Sequence, residues 1–579
     1  MGEMNRGINF SILKIWAITA FCLLTFTGFS QNKYPQNYFR SPLNVPLVLS
    51  GTFGELRSNH FHSGIDIKTQ QKTGLPVLAV ADGYVSRIKV SPYGFGKAIY
   101  VTHPNGYTSV YAHLQKFAPQ IQAFVRKAQY QQQSFAVELF PSSSQFKLLQ
   151  GGVLAFSGNT GGSGGPHLHF EIRDSKTEKV INPLHFGFKV KDTRRPNLFN
   201  LMVYQFNGEE LVSSEPKKIL TNSTGKSYLA GNEVLDINYQ PAFGIQTTDK
   251  QDGASNNNGV YSIDMWMGEE KVYRFCTETF AFGETRYINS HIDFAQKNCC
   301  RKVYNKMFLE PGNQYSGYAQ TPQMNLPKLI ADSIYNVKIE VKDFAGNTNV
   351  LGFKIKYHPL QSEVDESYST PNYFRYSQSN FLKNENLYLN LPQGALYANA
   401  YVEYNHSEPC QNCLSLIHHV GSSEIPVHRY YNLKIKLNAN YTGDKSKLAI
   451  ASLKNGRIID YEGGVWKNGF VEARTRQFGD FAIAVDTTAP RIRPINFKEG
   501  SSIGSLGRIK IKVTDDFSGI KKIDTYINNQ WVLFEYDAKN NLIFAWLKDL
   551  ELEAGVQNLK VVVQDDKKNV QTKTYHLKL

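Results

Sequence analysis

Five residues of this chain have the types and spacing to do chemistry together. His167 and His169 form a His-x-His pair within Gly165-Pro166-His167-Leu168-His169-Phe170. Side chains alternate along a strand with period two, so both imidazoles share one face while Leu168 and Phe170 point into a core. The preceding Gly161-Gly162-Ser163-Gly164-Gly165 lets backbone and substrate approach closely. A second segment, His62-Ser63-Gly64-Ile65-Asp66, offers an imidazole and a carboxylate. A third, Tyr111-Ala112-His113-Leu114, ends the alternating run Tyr107, Ser109, Tyr111, His113. Imidazole and carboxylate both suit zinc. One site can gather the histidine and aspartate of the second segment and one histidine of the pair. Three protein ligands leave a fourth position for water, the open pattern of a catalytic zinc. An imidazole that is not a ligand titrates in the range needed to handle protons.

In this order the motifs resemble peptidase family M23, the zinc metallopeptidases of the lysostaphin/LytM type. Further matching text is Asn59-His60-Phe61 before His62, Ala81-Asp82-Gly83-Tyr84-Val85, and Ser157-Gly158-Asn159-Thr160-Gly161. The resemblance covers about residues 45 to 190. It implies His62, Asp66 and His169 as ligands of one Zn2+ per chain, with His113 and His167 as catalytic histidines that are not ligands. It also implies hydrolysis of peptide bonds in bacterial peptidoglycan, at cross-links or bridges, by a zinc-activated water. The substrate would be stem or bridge peptides. A second reading is a non-catalytic M23-like module that binds the wall or activates another wall hydrolase. Members of that kind have lost ligands, whereas all five positions are kept here. There is no His-Glu-x-x-His helix, so the glutamate base of other zinc proteases is not evident.

The elements around the motifs read as β. Leu75–Val80, Gly83–Val90 and Ala98–Thr102 are β-branched or aromatic runs broken by Gly, Pro and Asp-Gly, as in an antiparallel sheet of hairpins. After Leu114, residues Phe117, Ile121, Phe124, Val125 and Ala128 recur at helical spacing, and Phe135, Val137 and Leu139 then alternate. Residues 115–148 therefore read as an inserted helix and hairpin, placed either to wall the cleft or to pack away from the chemistry. His103 reads as structural and His60 as rim or surface. The glycines from Gly151 to Gly165 lack a Gly-Lys-Ser/Thr ending and precede a strand, which excludes a phosphate loop.

The remaining sequence bounds the architecture and address. The 579 residues are 41% hydrophobic and 20% charged, with 33 Tyr and 36 Phe. That composition supports several packed, β-rich domains. Residues 1–30 read as a signal peptide: Arg6 and Lys14, an apolar run Ile15–Phe29 too short for a span, then Gly28 and Ser30 before Gln31. The mature protein is expected in the periplasm or envelope, or secreted, without a membrane span. A net charge of +14 suits an anionic envelope, and no nucleic-acid motif accompanies it. Cys410-Gln411-Asn412-Cys413 reads as a local disulfide, because a zinc ribbon would need a second such pair.

The C-terminal half repeats a pattern. Asp192-Thr193-Arg194-Arg195-Pro196 is echoed by Asp486-Thr487-Thr488-Ala489-Pro490, and Asp343 to Asn347 by Asp565 to Asn569. The expected fold is mainly β: an antiparallel M23 domain over 31–192, with the helical insertion, then two or three β-sandwiches resembling immunoglobulin or fibronectin modules at 196–358, 366–486 and 487–579. These modules could contact envelope proteins. Asp343 and Asp565 read as turn formers ahead of a final strand, with calcium binding the rarer alternative.

Overall fold

The β-branched and aromatic runs become strands, and 46% of the described residues are strand and 9% helix. A computed structural model describes residues 33–231, 234–318, 328–360, 372–438 and 440–579. The expected signal peptide lies outside the described residues. Among the described residues no helix is long and apolar enough to cross a membrane.

In the N-terminal domain the elements are β1 (Leu49–Gly51), β2 (Ile65–Lys68), β3 (Pro76–Leu78), β4 (Gly83–Val90), β5 (Lys97–Thr102), β6 (Tyr107–Ala112), β7 (Lys116–Phe117), α1 (Pro119–Gln132), β8 (Val137–Leu139), β9 (Lys147–Leu148), β10 (Val153–Phe156), β11 (His167–Asp174) and β12 (Val180–Ile181). The main sheet runs β1-β2-β11-β6-β5-β4-β8, and β3-β10-β7 form a small second sheet. Every pairing among these strands is antiparallel. Ile65 and Ile67 on β2 and Leu168, Phe170 and Ile172 on β11 are all 0% exposed. They anchor the register, since a one-residue slip would exchange these apolar side chains with the polar ones between them.

The insertion forms α1 as its spacing predicts. Ile121, Val125 and Ala128 are its buried stripe. In place of a hairpin, β8 and β9 each pair with β4. β8 thus lies on the far edge of the sheet, with β6, β5 and β4 between it and β11. The contact of the insertion with the C-terminal module is made by α1, whose Tyr130 meets Trp531 edge-on at 5.4 Å.

Three larger cores follow the chain. One is continuous from Tyr34 through Ile355, so the N-terminal domain and the strands after residue 196 share it. Val180 and Ile181 of β12 pair directly with Phe280 and Thr279 of that second region. The second core lies between two five-stranded sheets over residues 374–485, and the third between two four-stranded sheets over 492–577. Cys410 and Cys413 are disulfide-bonded, as their spacing predicts.

Several histidines remote from His62, His113, His167 and His169 are buried or half-buried and neutral. His291 stacks on Phe275 at 4.2 Å and donates to or accepts from Tyr318 and Asn305. Burial pushes its pKa down to about 4. Burial likewise lowers His418 and His428 to about 4. A folded-state pKa below the unfolded value means that the unfolded chain binds more protons. The associated stability is therefore complete above about pH 6.5 and is lost as pH falls towards 4, at about 1.4 kcal/mol per pH unit for a group such as His291. Denaturant midpoints measured from pH 7 to pH 4.5 should fall steadily. The His291→Gln variant should show a shallower slope, and an unchanged slope would remove His291 from the effect.

Candidate metal centre

The register of two strands brings the first ligands together. Asp66 on β2 is directly opposite His169 on β11, so their side chains leave the sheet on the same face. His62 reaches the same point from the loop before β2, fixed by backbone bonds from Gly54 N to His62 O and from His62 N to Glu55 O, 2.8 and 2.9 Å. His62 Nε2, His169 Nδ1 and Asp66 Oδ1 form a triangle with sides of 3.0 Å. All three residues are 6% exposed or less.

The remaining atoms of these side chains are already engaged. The Thr52 carbonyl accepts from His62 Nδ1 at 2.8 Å, and Glu171 Oε1 accepts from His169 Nε2 at 3.0 Å. A carbonyl and a carboxylate can only accept, so the protons sit on those nitrogens. The lone pairs of His62 Nε2 and His169 Nδ1 then both face Asp66 Oδ1. Three acceptors converge on one point, which suits a cation, and the triangle has room for zinc at about 2.0–2.1 Å from each corner. Arg57 Nη2 holds the other Asp66 oxygen at 2.8 Å. Glycine at position 51 leaves room for this pair, because a Cβ there would lie 2.4 Å from Arg57 Nη2 and 2.6 Å from Asp66 Oδ2 and would push them aside.

The electrostatics agree with a cation-seeking site. Burial works to raise the Asp66 carboxyl, but the facing histidines hold it well below the usual range. Burial works to lower His169, but Asp66 and Glu171 push it up to about 9, so without a metal a proton takes the cation's place.

The two other histidines flank this triangle. His113 follows the end of β6 with φ at +58°, which turns its ring out of the strand's alternation. Thr160 O accepts from its Nδ1 at 2.8 Å. Its ring centroid is 4.8 Å from that of His167 and 5.8 Å from that of His169. Burial, and then the neighbouring histidines, lower its pKa to about 3, so it is neutral at ordinary pH. Gly165 O accepts from His167 Nδ1 at 2.9 Å, and His167 Nε2 is 3.4 Å from Asp66 Oδ1. All five sequence-predicted residues therefore meet in one place. His103, between Asp82 O and Ser109 Oγ at 2.8 Å each, is part of the β4–β6 framework.

With the geometry in place, the comparisons can be read. Residues 60–130 match the model of Peptidase family M23. The N-terminal domain belongs to family M23. Over 147 residues the M23 domain is 35% identical to the DD-carboxypeptidase/endopeptidase Mpg of Neisseria meningitidis, covering 24% of this chain and 27% of that protein. Over 111 residues it is 32% identical to the peptidoglycan DD-endopeptidase ShyA of Vibrio cholerae, covering 19% and 20%. The catalytic domain of lysostaphin from Staphylococcus simulans matches at 22% identity and a TM-score of 0.16, over 26% of this chain and 91% of that one. The chain thus matches about a quarter of the length of curated relatives such as Mpg, 27%. Residues 371–486 match the Zu5-like domain model.

Two further residues of β11, Glu171 and Arg173, carry a role that the motif leaves unassigned. Glu171 and Arg173 continue the same alternation as His167 and His169, which is the signal that could have found them. Arg173 Nε and Nη2 grip Glu171 Oε2 at 2.7 and 2.6 Å, Ser63 Oγ donates to Oε1, and Glu171 is 0% exposed. Burial works to raise the Glu171 carboxyl, but Arg173 and His169 hold it at about 2, so it accepts from His169 as a carboxylate. Glu171→Gln should weaken metal binding about 10- to 100-fold, the usual range for a group that orients a ligating histidine. A competition titration against a chelator reads this directly, and unchanged affinity would leave Glu171 a purely structural role.

The walls of the cleft come from loops. Gly161, at φ +69°, passes so close to the Gly94–Gly96 loop that a Cβ there would lie 2.4 Å from Gly94 O. Lys539 of the C-terminal module donates to Asn159 Oδ1 at 3.1 Å and Ser163 O at 2.7 Å. Ser163 Oγ in turn lies 3.2 Å from His167 Nδ1.

Proposed function

We propose that the protein is an exported zinc metalloendopeptidase that hydrolyses peptide bonds in peptidoglycan. The observation that carries this is the 3.0 Å triangle of His62 Nε2, Asp66 Oδ1 and His169 Nδ1, with both remaining imidazole nitrogens held as donors. His62, Asp66 and His169 hold the zinc, which when bound polarises a peptide carbonyl and lowers the pKa of a water towards about 7. His113 presents Nε2 as a neutral acceptor, because its Nδ1 proton is fixed on Thr160 O. It takes the proton that leaves the attacking water and returns it to the amine nitrogen as the C–N bond breaks. His167, with an acceptor beside each ring nitrogen, orients the carbonyl oxygen and donates to the charge that develops there. Burial keeps bulk water from competing for these positions.

The peptidoglycan DD-endopeptidase activity named for ShyA supports peptidoglycan as the substrate class, and the basic net charge of +14 suits an anionic envelope. The modules at 196–358, 366–486 and 487–579 would then contact envelope proteins or position the peptidase domain. The test is incubation of the purified chain with isolated peptidoglycan, with and without a chelator, followed by mass spectrometry. New amine and carboxyl ends that vanish with chelator and return with zinc are expected, and their masses name the bond. A chain that binds zinc and wall without making such ends would instead be the non-catalytic, activating form.

A further inference from the structure

Outside the peptidase site, the described residues hold two triads of aspartates at matching positions in two modules. Asp192, Asp249 and Asp343 offer carboxylate oxygens within 4.8 Å of one another, and Asp486, Asp515 and Asp565 do the same. In each case the first residue begins the Asp-Thr-x-x-Pro segment. The second ends or follows an early strand, after Gln240–Thr248 or Arg508–Thr514. The third precedes the final hairpin turn. An asparagine four residues later ties the first and third together in both modules. Asn347 donates to Asp343 Oδ1 and Oδ2 at 2.9 and 2.7 Å and to Asp192 O at 3.2 Å. Asn569 repeats this towards Asp565 at 2.8 Å twice and Asp486 O at 2.9 Å.

Crowded carboxylates alone do not make a site, and here the two triads part. In the C-terminal triad every carboxylate already has donors, and no buried carboxylate oxygen is left bare. Asp486 accepts from Thr488 N and Ser518 N at 3.1 and 3.2 Å, and Asp515 Oδ2 from Phe517 N and Gly519 N at 3.1 and 2.8 Å. The Lys567 ammonium adds a positive charge beside them. In the first triad Asp249 is 3% exposed, yet its Oδ1 is buried without any hydrogen-bond partner. A buried, unsatisfied carboxylate oxygen is strongly unfavourable unless something occupies it. All three acids also line one cavity of about 270 Å3 at the junction of the M23 domain and the second module, with Gln251, Gly259 and Phe344.

We propose that Asp192, Asp249 and Asp343 bind one hard divalent cation of the calcium type. The donor set is oxygen only, which excludes the soft-metal preference of the peptidase site. Asp249 is fixed by its bridge to Asn258, while Asp343 opens a turn and Asp192 lies in the linker; two of the three can adjust, which suits the 6–8 oxygen ligands of calcium better than the rigid octahedron of magnesium. The same loop touches the peptidase sheet: Gln251 Oε1 accepts from Leu49 N of β1 at 2.8 Å, and β1 pairs with β2, which carries Asp66. A cation here would clamp the linker, the second module and the edge of the peptidase sheet into one unit.

The test is isothermal titration of CaCl2 into the zinc-loaded, otherwise calcium-free full chain, with melting temperature as a second readout. One calcium per chain is expected, with Kd at or below about 1 mM, the range of extracellular calcium modules, and a rise in melting temperature that MgCl2 does not reproduce. Asp249→Asn should abolish both the binding and the rise, while melting no lower than wild type in calcium-free buffer. Asp515→Asn should leave both intact. No calcium uptake by wild type, full uptake by a folded Asp249→Asn, or loss of uptake only in Asp515→Asn would each overturn the assignment.

Discussion

His169→Ala is expected to emerge from dialysis without its metal and without activity. His169 supplies one corner of the 3.0 Å triangle, and it is the histidine whose other nitrogen Glu171 holds in place. Its removal leaves two ligands and an open side, so the affinity loss should exceed the roughly 100-fold that disturbing an orienting group can cause. Turnover should fall in parallel, because the lost step is polarisation of the carbonyl and the water together. Metal analysis by mass spectrometry beside a circular dichroism spectrum separates this from unfolding. Full zinc occupancy in the folded variant would remove His169 from the ligand set.

The companion result is its opposite. His113→Ala should retain zinc and substrate binding yet lose about 10²- to 10⁴-fold in kcat, the usual contribution of a positioned acid–base group. No atom of His113 forms part of the triangle, while its Nδ1 is anchored on Thr160 O and its ring faces His167. Because burial and its neighbours hold its pKa at about 3, it stays unprotonated across the working range. Wild-type rates for His113→Ala would take it out of the mechanism.

The five chemical residues were legible because strand alternation and short local spacing place them with few long-range choices: Asp66 and His169 need only one antiparallel register to meet. The helical spacing from Ile121 to Ala128 likewise produced α1, whereas Phe117, expected in the same run, ends β7 ahead of the helix. Glu171 was as legible as His169, two residues further on the same face, but a carboxylate gripped by Arg173 looks in sequence like any surface ion pair. Asp249 had no local signal, since nothing near it marks which distant carboxylates it joins. The repeated Asp-Thr-x-x-Pro segments announced similar modules without saying that one triad would find donors for all its carboxylates while the other would leave Asp249 Oδ1 bare. Nor does spacing reveal that β8 pairs on the edge of the sheet remote from β11, because edge choice is decided by tertiary packing.

Lys539 and Asn159 lie 380 residues apart in the chain, and Lys97 meets Glu535 of the same late module at 2.8 Å. The strand carrying His167 and His169 is synthesised long before the segment that braces the loop in front of it. A chain cut between Lys539 and Val556 would keep that lysine but lose Val556–Asp565 and Val570–Lys578, two strands of the sheet that shares a core with the one carrying it. The brace on the loop beside His167 therefore forms only once the late module has folded, so the shape of that loop reports on a segment 380 residues away.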